Sequence, residues 1–161
     1  MNILIESVTP ESVPILDAAL QQLSTELGDT HRAKRPALQA ALFGTHAACH
    51  AIIARRESED APMGAALFSP VFSTNLGCAG VYVSDLWVSA DARGQSLGKR
   101  LLANVADQAT QLWQAGFIRL IAYTDNQRAL AFYAQLGFKK STDETGLTLR
   151  GDRFHDLGEC R

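Results

Sequence analysis

Two spacings of apolar residues run through the chain, and each predicts a different kind of element. Over residues 13–27 and 97–113, apolar side chains recur every three or four positions, which predicts amphipathic helices. Shorter apolar runs, rich in β-branched residues, predict strands. The helices are expected to begin near Ser12, Arg35, Leu97 and Gln127, and the strands to span residues 3–5, 50–54, 63–72, 81–88, 117–124 and 148–150.

Glycine and proline set the expected ends of these elements. A glycine follows each predicted helix, as is common where a helix stops. Pro70 is expected to bend or end its strand, because proline has no N–H to donate. Residues 55–61 and 75–80 are expected to be turns. Strands with helices interleaved predict an α/β fold, a mixed sheet covered by helices. The glycines are Gly28, Gly44, Gly116 and Gly137.

Composition and charge narrow the classes of protein. A length of 161 residues predicts a single domain, 1–161. The net charge of −2, with scattered basic residues, argues against a nucleic-acid partner. No apolar run approaches the roughly 20 residues of a membrane span, and the first residues do not resemble a signal peptide. A soluble, cytoplasmic protein with no membrane partner is expected.

Cysteine and histidine give no metal or disulfide pattern. The three cysteines, Cys49, Cys78 and Cys160, are far apart and form no CxxC pair. His46 and His50 are four residues apart, but no third ligand of suitable spacing accompanies them. No bound metal is therefore expected.

A glycine-bearing turn joins the most apolar strand to the helix that begins near Leu97. The first N–H groups of a helix have no internal partner and carry partial positive charge, and glycine lets the backbone approach a ligand closely. These features predict a phosphate or pyrophosphate site. The alternative is an ordinary strand-to-helix turn. The turn comprises Arg93, Gly94, Gln95, Ser96, Leu97 and Gly98, with Lys99 behind it.

A second segment, residues 126–138, follows a predicted strand and forms a short helix closed by glycine. Asn126 is at the expected capping position. Ala129, Phe132 and Leu136 share one face, and Tyr133 lies one residue round from it. Tyr133 is either a functional hydroxyl or an amphipathic residue at the edge of the core.

Together the two segments resemble the GNAT superfamily of acyl-CoA-dependent N-acyltransferases. Its pattern is Arg/Gln-x-x-Gly-x-Gly/Ala opening a helix, then Asn-x-x-Ala-x-x-Phe-Tyr-x-x-x-Gly-Phe after the next strand. The match covers residues 81–138. The resemblance implies a mixed sheet of six to seven strands, flanked by helices on both faces and splayed at the central strand. It also implies direct transfer of an acetyl group from acetyl-CoA to a primary amine, with no metal.

The resemblance also implies roles for individual residues. Leu86, Trp87 and Val88 would line the pantetheine arm, with backbone groups of Leu86 and Val88 pairing to it, and an N–H of Leu86 or a neighbour would face the oxyanion. Tyr133 would protonate the leaving thiolate. The N–H groups of the turn would hold the pyrophosphate. The remaining cofactor contacts would come from Arg93, Gly94, Gln95, Ser96, Leu97, Gly98, Lys99, Asn126 and Arg128.

Two departures from the family pattern matter. Ser96 replaces the middle glycine, which costs about 1–2 kcal/mol if the position needs a positive φ. A weaker similarity to the diamine (polyamine or thialysine) acetyltransferases places Ser84 where those enzymes have a glutamate that helps deprotonate the amine. Asp85 is then the nearest carboxylate, but neighbouring strand residues face opposite sides, so it reaches the same site only if the strand bulges. Otherwise Asp85 is a structural carboxylate.

The identity of the acceptor is weakly marked. Glu26 and Asp29, with Asp85, are the carboxylates expected to bind a small amine, a diamine or an amino-acid type acceptor. The alternative for Glu26 and Asp29 is a solvated helix end. The missing glutamate also leaves open a non-catalytic CoA-binding module of the same fold. The resemblance leaves a homodimer open as well.

Overall fold

The computed structural model describes residues 3–57 and 61–159, so Cys160 and the predicted turn at 58–60 lie outside the described residues. The described chain forms two compact units, one ending at Tyr123 and one beginning at Thr124. A single domain over 1–161 stays a prediction.

The first unit contains a five-stranded sheet and three α-helices. The strands lie in chain order β1-β2-β3-β4-β5, with antiparallel pairs up to β4 and a parallel pair between β4 and β5. The strands are β1 Ile3–Ser7, β2 His50–Arg56, β3 Pro62–Ser73, β4 Cys78–Val88 and β5 Ile118–Leu120, and the helices are α1 Val13–Leu27, α2 Arg35–Phe43 and α3 Leu97–Trp113.

Helices cover both faces of this sheet. Ala65 of β3 belongs to the buried cluster that includes Leu16 of α1 and Leu38 of α2. Its neighbour Gly64 faces the other way, where an added Cβ would come within 2.9 Å of Leu101 Cδ1 of α3. Because adjacent strand residues point to opposite faces, α1 and α2 cover one face and α3 covers the other. The expected mixed sheet with helices on both faces is confirmed.

The register between β3 and β4 shifts in the middle of the sheet. Leu67 pairs with Asp85 and Phe68 pairs with Val83, so Ser84 is an extra residue in β4, a β-bulge. The parallel pairing of β4 with β5 covers Val81–Val83, and in the described chain it goes no further. The sheet is therefore splayed beyond Val83.

Pro70 does not end β3, which continues to Ser73. Pro70 pairs with Val81, whose N–H donates to Phe117 O on the β5 side at 2.9 Å. This pair exchanges no hydrogen bonds, so the missing proline N–H is not needed. The pairing of β3 with β2 starts at Phe68, which leaves the other edge at Pro70 without a strand neighbour in the described residues.

Other strand boundaries also differ from the prediction. β5 is three residues long because it diverges from β4 after Val83. The strand predicted at 148–150 is wrong: this segment has no regular structure, and Leu147 and Leu149 are 92% and 51% exposed. The described residues thus contain five strands rather than six or seven. α3 ends at Trp113, before Gly116, with Gln114 as its left-handed cap.

The second unit contains two helices, α4 Gln127–Gln135 and α5 Asp152–Glu159. The prediction included α4 but not α5. Gly137, at φ 93°, follows α4, and its N–H donates to Ala134 O at 3.0 Å. No helix within residues 3–57 and 61–159 is long and apolar enough to cross a membrane.

Candidate active site

The second half of β4 offers a row of backbone groups on its open side. The N–H of Ser89 donates to Met63 O of the β3 side at 2.9 Å. Because antiparallel pairs alternate, the backbone groups of Val88 and Leu86 point away from β3, towards the side that β5 has left. An added extended segment could pair with these groups, of which the Val88 carbonyl already accepts from Arg93 Nε at 3.0 Å. Trp87, between them, turns its backbone to β3.

The turn after β4 presents six consecutive backbone N–H groups, from Gly94 to Lys99, with no acceptor in the described part of the chain. Ser96 ends the turn, and its carbonyl accepts the N–H of Arg100 at 3.0 Å. Gly94 and Ser96 both have a positive φ, 76° and 60°. The alternation curls the backbone so that its N–H groups can converge on an anion. Ser96 therefore occupies the position that favours glycine.

The side chain of Arg93 is tied to the first unit's own residues. Its Nε donates to Val88 O at 3.0 Å, and its guanidinium forms an ion pair with Glu26 of α1. The other carboxylate oxygen of Glu26 accepts the indole N–H of Trp87 at 3.0 Å. Glu26 thus links α1 to the end of β4. Its carboxylate is engaged by these two partners but remains partly exposed, so an acceptor-binding role for Glu26 stays a prediction.

The β-bulge places Ser84 and Asp85 on the same face of the sheet. Val83 pairs with Phe68, whose ring lies 6.4 Å from that of Trp113 in α3, so Ser84 turns to the opposite face. Asp85 pairs with Leu67, which packs against the α1 cluster on that same opposite face. The β-bulge that Asp85 needs in order to share a face with Ser84 is therefore present.

The surroundings of Asp85 disfavour its charged form. Burial raises the pKa of Asp85, while the hydrogen bond from Ser84 and the charge of His31 act in the opposite direction. Ser84 itself is exposed, and its hydroxyl also lies 3.2 Å from Leu67 O. Nearby, burial and then the charge of Asp85 raise the pKa of the Cys49 thiol. A neutral thiol is a weak nucleophile, which disfavours a route through an acyl-cysteine.

The structure adds a buried cluster around Asp17 that the sequence analysis missed. The Asp17 side chain is 5% exposed and accepts from Arg35 Nε at 2.8 Å and Gln21 Nε2 at 3.1 Å, with His31 Nε2 also at 3.1 Å. Burial acts to raise the pKa of Asp17, but the three hydrogen bonds outweigh it and hold the pKa below its usual value. One signal was available: Asp17 interrupts the apolar stripe of α1 next to Leu16, and a buried carboxylate needs partners.

Asp29, the other candidate acceptor ligand, follows α1 and is exposed. Its two carboxylate oxygens lie 3.1 and 2.9 Å from the Tyr123 hydroxyl. Asp29 is therefore a carboxylate that solvent can reach, with one hydroxyl partner from Tyr123.

The second unit holds the other predicted residues. Asn126 caps α4, because its Oδ1 accepts the N–H of Ala129 at 3.1 Å. Tyr133 is half-buried, with its ring 5.2 Å from that of Phe132 and 5.4 Å from that of Phe138. Burial raises the pKa of Tyr133, which keeps its hydroxyl protonated at neutral pH. Arg128 is exposed in the first turn of α4.

The described residues contain no group of three or more metal-ligating side chains. His50 instead packs against aromatic rings, 5.0 Å from Trp113 and 5.9 Å from Phe68, and His46 is exposed.

Most of the chain is similar to known acetyltransferases. A family model described as Acetyltransferase (GNAT) family matches residues 16–138. The chain is 29% identical over 129 residues to the thialysine N-epsilon-acetyltransferase of Sus scrofa, covering 75% of this chain and 74% of that protein. It is 33% identical over 94 residues to an L-ornithine N5-acetyltransferase of Arabidopsis thaliana, covering 58% of this chain and 41% of that protein.

Solved structures share the fold at lower identity. An integron cassette protein from V. cholerae has a TM-score of 0.77 at 22% identity, covering 99% of each chain. An aminoglycoside acetyltransferase from an uncultured soil metagenomic sample has a TM-score of 0.74 at 16% identity, covering 92% of this chain and 97% of the other.

Proposed function

The chain belongs to the acetyltransferase (GNAT) family and is an acyltransferase, and on that premise we propose that it transfers an acetyl group from acetyl-CoA to a primary amine. The acceptor is a small molecule with a terminal amine, of diamine or amino-acid type. The amine attacks the thioester directly, with both substrates bound at once.

One observation carries this proposal: an open strand edge leads directly into a turn of unpartnered N–H groups. The edge is formed by the backbone of Leu86 and the N–H of Val88, whose carbonyl accepts from Arg93 Nε, and the turn by residues 94–99. An arm with alternating amide donors and acceptors can pair with the edge, as in strand addition. A diphosphate can then accept hydrogen bonds from the turn. Acetyl-CoA has both groups in that order, from its thioester to its nucleotide.

The chemistry assigns a role to each end of this site. The amine loses a proton and attacks the thioester carbon, and the N–H of Leu86 stabilises the developing oxyanion. Losing such a donor typically costs about 10²–10³ in rate. The C–S bond then breaks, and the Tyr133 hydroxyl, kept protonated by burial, gives its proton to the thiolate.

The acceptor class rests on charge and on the relatives. Asp85 and Asp29 are carboxylates of the first unit that can attract an ammonium group. The names of the thialysine and ornithine enzymes place the acetylated nitrogen on the side chain of an amino acid. A side-chain amine of a free amino acid is therefore our first candidate acceptor.

A second candidate is a CoA-binding module without turnover. The observation that favours it is Ser84, since serine is no base at neutral pH and the diamine enzymes carry a glutamate there. Tyr133 opposes it, because a module without turnover has no need of the proton donor that the family resemblance implies.

Calorimetry with acetyl-CoA and a thiol-release assay with a panel of amines test the proposal. Tyr133→Phe is expected to bind acetyl-CoA as the wild type does and to lose about 10²–10⁴ in kcat, because the thiolate has no proton donor. Tyr82→Phe removes the same hydroxyl from a residue that no step uses, and should retain the wild-type rate.

Saturable acetyl-CoA binding without turnover on any amine would favour the module. Absence of binding would overturn both functions. A wild-type rate in Tyr133→Phe would remove Tyr133 from the mechanism and leave the transfer itself intact.

A further inference from the structure

We propose that His31 is the base that takes the proton from the acceptor amine, and that Asp17 holds its imidazole in the competent orientation; this rests on the proposed acetyl transfer. The sequence offered only Ser84 and Asp85 for this step. His31 lies in the loop between α1 and α2. This loop is on the face of the sheet that the two helices cover and to which Ser84 and Asp85 also point.

The contact with Asp17 selects the tautomer of His31. The Asp17 carboxylate, with its pKa held low by its hydrogen bonds, is ionised at neutral pH and can only accept. The His31 Nε2 lies 3.1 Å from Asp17 Oδ1, so Nε2 must carry the proton. Nδ1 then has the free lone pair of a neutral imidazole. A buried carboxylate that orients a histidine in this way is a recurring arrangement in catalysis.

His31 is also placed where an amine can reach it. Its side chain is 18% exposed, whereas that of Asp17 is 5% exposed. It lies close enough to Asp85 for its charge to affect that carboxyl group. Asp85 directly precedes Leu86, whose backbone points to the open edge of β4. An amine held by Asp85 would thus lie close to the strand edge at Leu86, on the face of the sheet that His31 shares.

The other groups on this face are less suitable bases. The Ser84 hydroxyl does not ionise near neutral pH, and it is engaged with Leu67 O. Asp85 is placed to hold the ammonium group of the acceptor, and burial raises its pKa. Imidazole is the side-chain class that exchanges protons near neutral pH, which suits general base catalysis.

The protons balance as follows. The ammonium form of the acceptor gives one proton to His31 Nδ1, which becomes imidazolium stabilised by the Asp17 carboxylate. The free amine forms a C–N bond to the acetyl carbon, the C–S bond breaks, and the amide nitrogen loses its second proton. Tyr133 gives its proton to the CoA thiolate and is re-protonated by the second proton of the nitrogen, while the first proton passes from His31 to solvent.

The charges that face His31 come from three elements. Asp17 projects from α1, Asp85 from β4, and Arg35 of α2 reaches Asp17 at 2.8 Å. Arg35 is bonded to Asp17 rather than to His31, so it offsets the charge of Asp17 without displacing the imidazole.

His31→Gln tests the role of the base, with His155→Gln on the exposed face of α5 as a matched control. We expect kcat to fall about 10²–10⁴-fold at neutral pH, with acetyl-CoA affinity and Tm unchanged. The loss should shrink as pH approaches the pKa of the amine, because free amine then binds without needing a base. A uniform loss at every pH, or no loss, would contradict the role of His31.

Asp17→Asn separates orientation from folding. Asparagine can donate to Nε2 and so favours the wrong tautomer; we expect kcat to fall at least about tenfold at a temperature where the variant is folded. Imidazole added to the His31→Gly variant should restore part of the rate over the pH range in which the wild type is active. A purely structural role of His31 would give no such rescue.

A measurement without turnover distinguishes this inference from the proposed function. In ¹⁵N NMR of the imidazole groups, His31 should be the Nε2–H tautomer when neutral, and the Nδ1 resonance should shift when a primary amine is added. The opposite tautomer would overturn the inference even if the enzyme is active. The expected tautomer in a protein that transfers no acetyl group would overturn the proposed function alone.

Discussion

Ser96 is the residue at which the family pattern and the backbone disagree. Its φ of 60° lies in the left-handed region, where a side chain costs roughly 1–2 kcal/mol. Ser96 is also the last residue of the turn before α3, so the strained residue lies within the proposed diphosphate site. Gln114, with a φ of 55°, is strained in the same way at the other end of α3.

Ser96→Gly should therefore stabilise the protein. The relief of strain is partly offset by the flexibility of glycine in the unfolded chain, about 0.4–1 kcal/mol. We expect a net gain of up to about 1 kcal/mol, or a rise in Tm of about 2–4 °C. Thermal unfolding followed by circular dichroism measures it.

Gln114→Gly and Gln95→Gly are the matched controls. The first should give a similar rise in Tm without changing acetyl-CoA affinity, since it lies at the far end of α3. The second replaces a residue that has no positive φ and should give no rise. Equal Tm values for Ser96→Gly and the wild type would mean that the serine is not strained.

At the scale of elements, one extra residue decides what β4 can bind. Before the bulge, the backbone groups of Val81 serve the pairing with β5; after it, those of Leu86 and Val88 point to the same side, where β5 is no longer paired. The same bulge turns Asp85 towards α1. The open edge and the acceptor side therefore depend on one local irregularity.

Deleting Ser84 removes the bulge and should let β4 continue straight. Because strands without a bulge twist and bend less, the pairing with β5 is expected to extend and close the open edge. We expect acetyl-CoA affinity to fall by about tenfold or more, which is 1.4 kcal/mol. Calorimetry measures the affinity, and circular dichroism shows whether the sheet is kept.

Ser84→Ala is the control for this deletion, because it keeps the extra residue and removes only the hydroxyl. It should bind acetyl-CoA as the wild type does. A folded deletion variant with wild-type affinity would show that the splay of the sheet does not depend on the bulge.

At the scale of the whole molecule, two carboxylates on one face contribute to stability with opposite signs. The folded pKa of Asp17 lies below that of the unfolded chain, so its contribution is complete above about pH 4 and is lost as the pH falls through the folded pKa. The folded pKa of Asp85 lies above it, because of burial. Asp85 therefore destabilises the fold increasingly as the pH rises from about 4 through its folded pKa.

Asp85→Asn should raise the Tm at pH 7, and the gain should disappear below about pH 4, where the carboxyl is protonated in both states. Asp17→Asn should instead lower the stability at pH 7 by about 1–3 kcal/mol, since it weakens three part-buried hydrogen bonds to a buried side chain. Thermal unfolding of both variants from pH 3 to 8 measures the two signs. A loss of stability in Asp85→Asn at pH 7 would show that Asp85 is a structural carboxylate.

Features that depend on residues close together in the sequence were predicted correctly, and features that depend on distant residues were not. The bounds of α4 and the cap at Asn126 were predicted because the cap bonds to Ala129, three residues away. An end of β3 at Pro70 was wrongly allowed for, because the tolerance of proline there depends on where Val81 directs its N–H. The strand at 148–150 was mispredicted because its local pattern meets no neighbouring strand that would bury it.

The sequence by itself determined where α3 begins, the glycine turn before it and the match to the family motifs. These features could be predicted because helical periodicity, caps and left-handed positions depend on residues close together in the chain. Only the tertiary structure decided that β4 bulges at Ser84 and that Asp17, His31 and Asp85 lie on one face. These features depend on strand register and on charges brought together from separate elements. No local pattern encodes them, since each residue alone is equally compatible with a solvated surface.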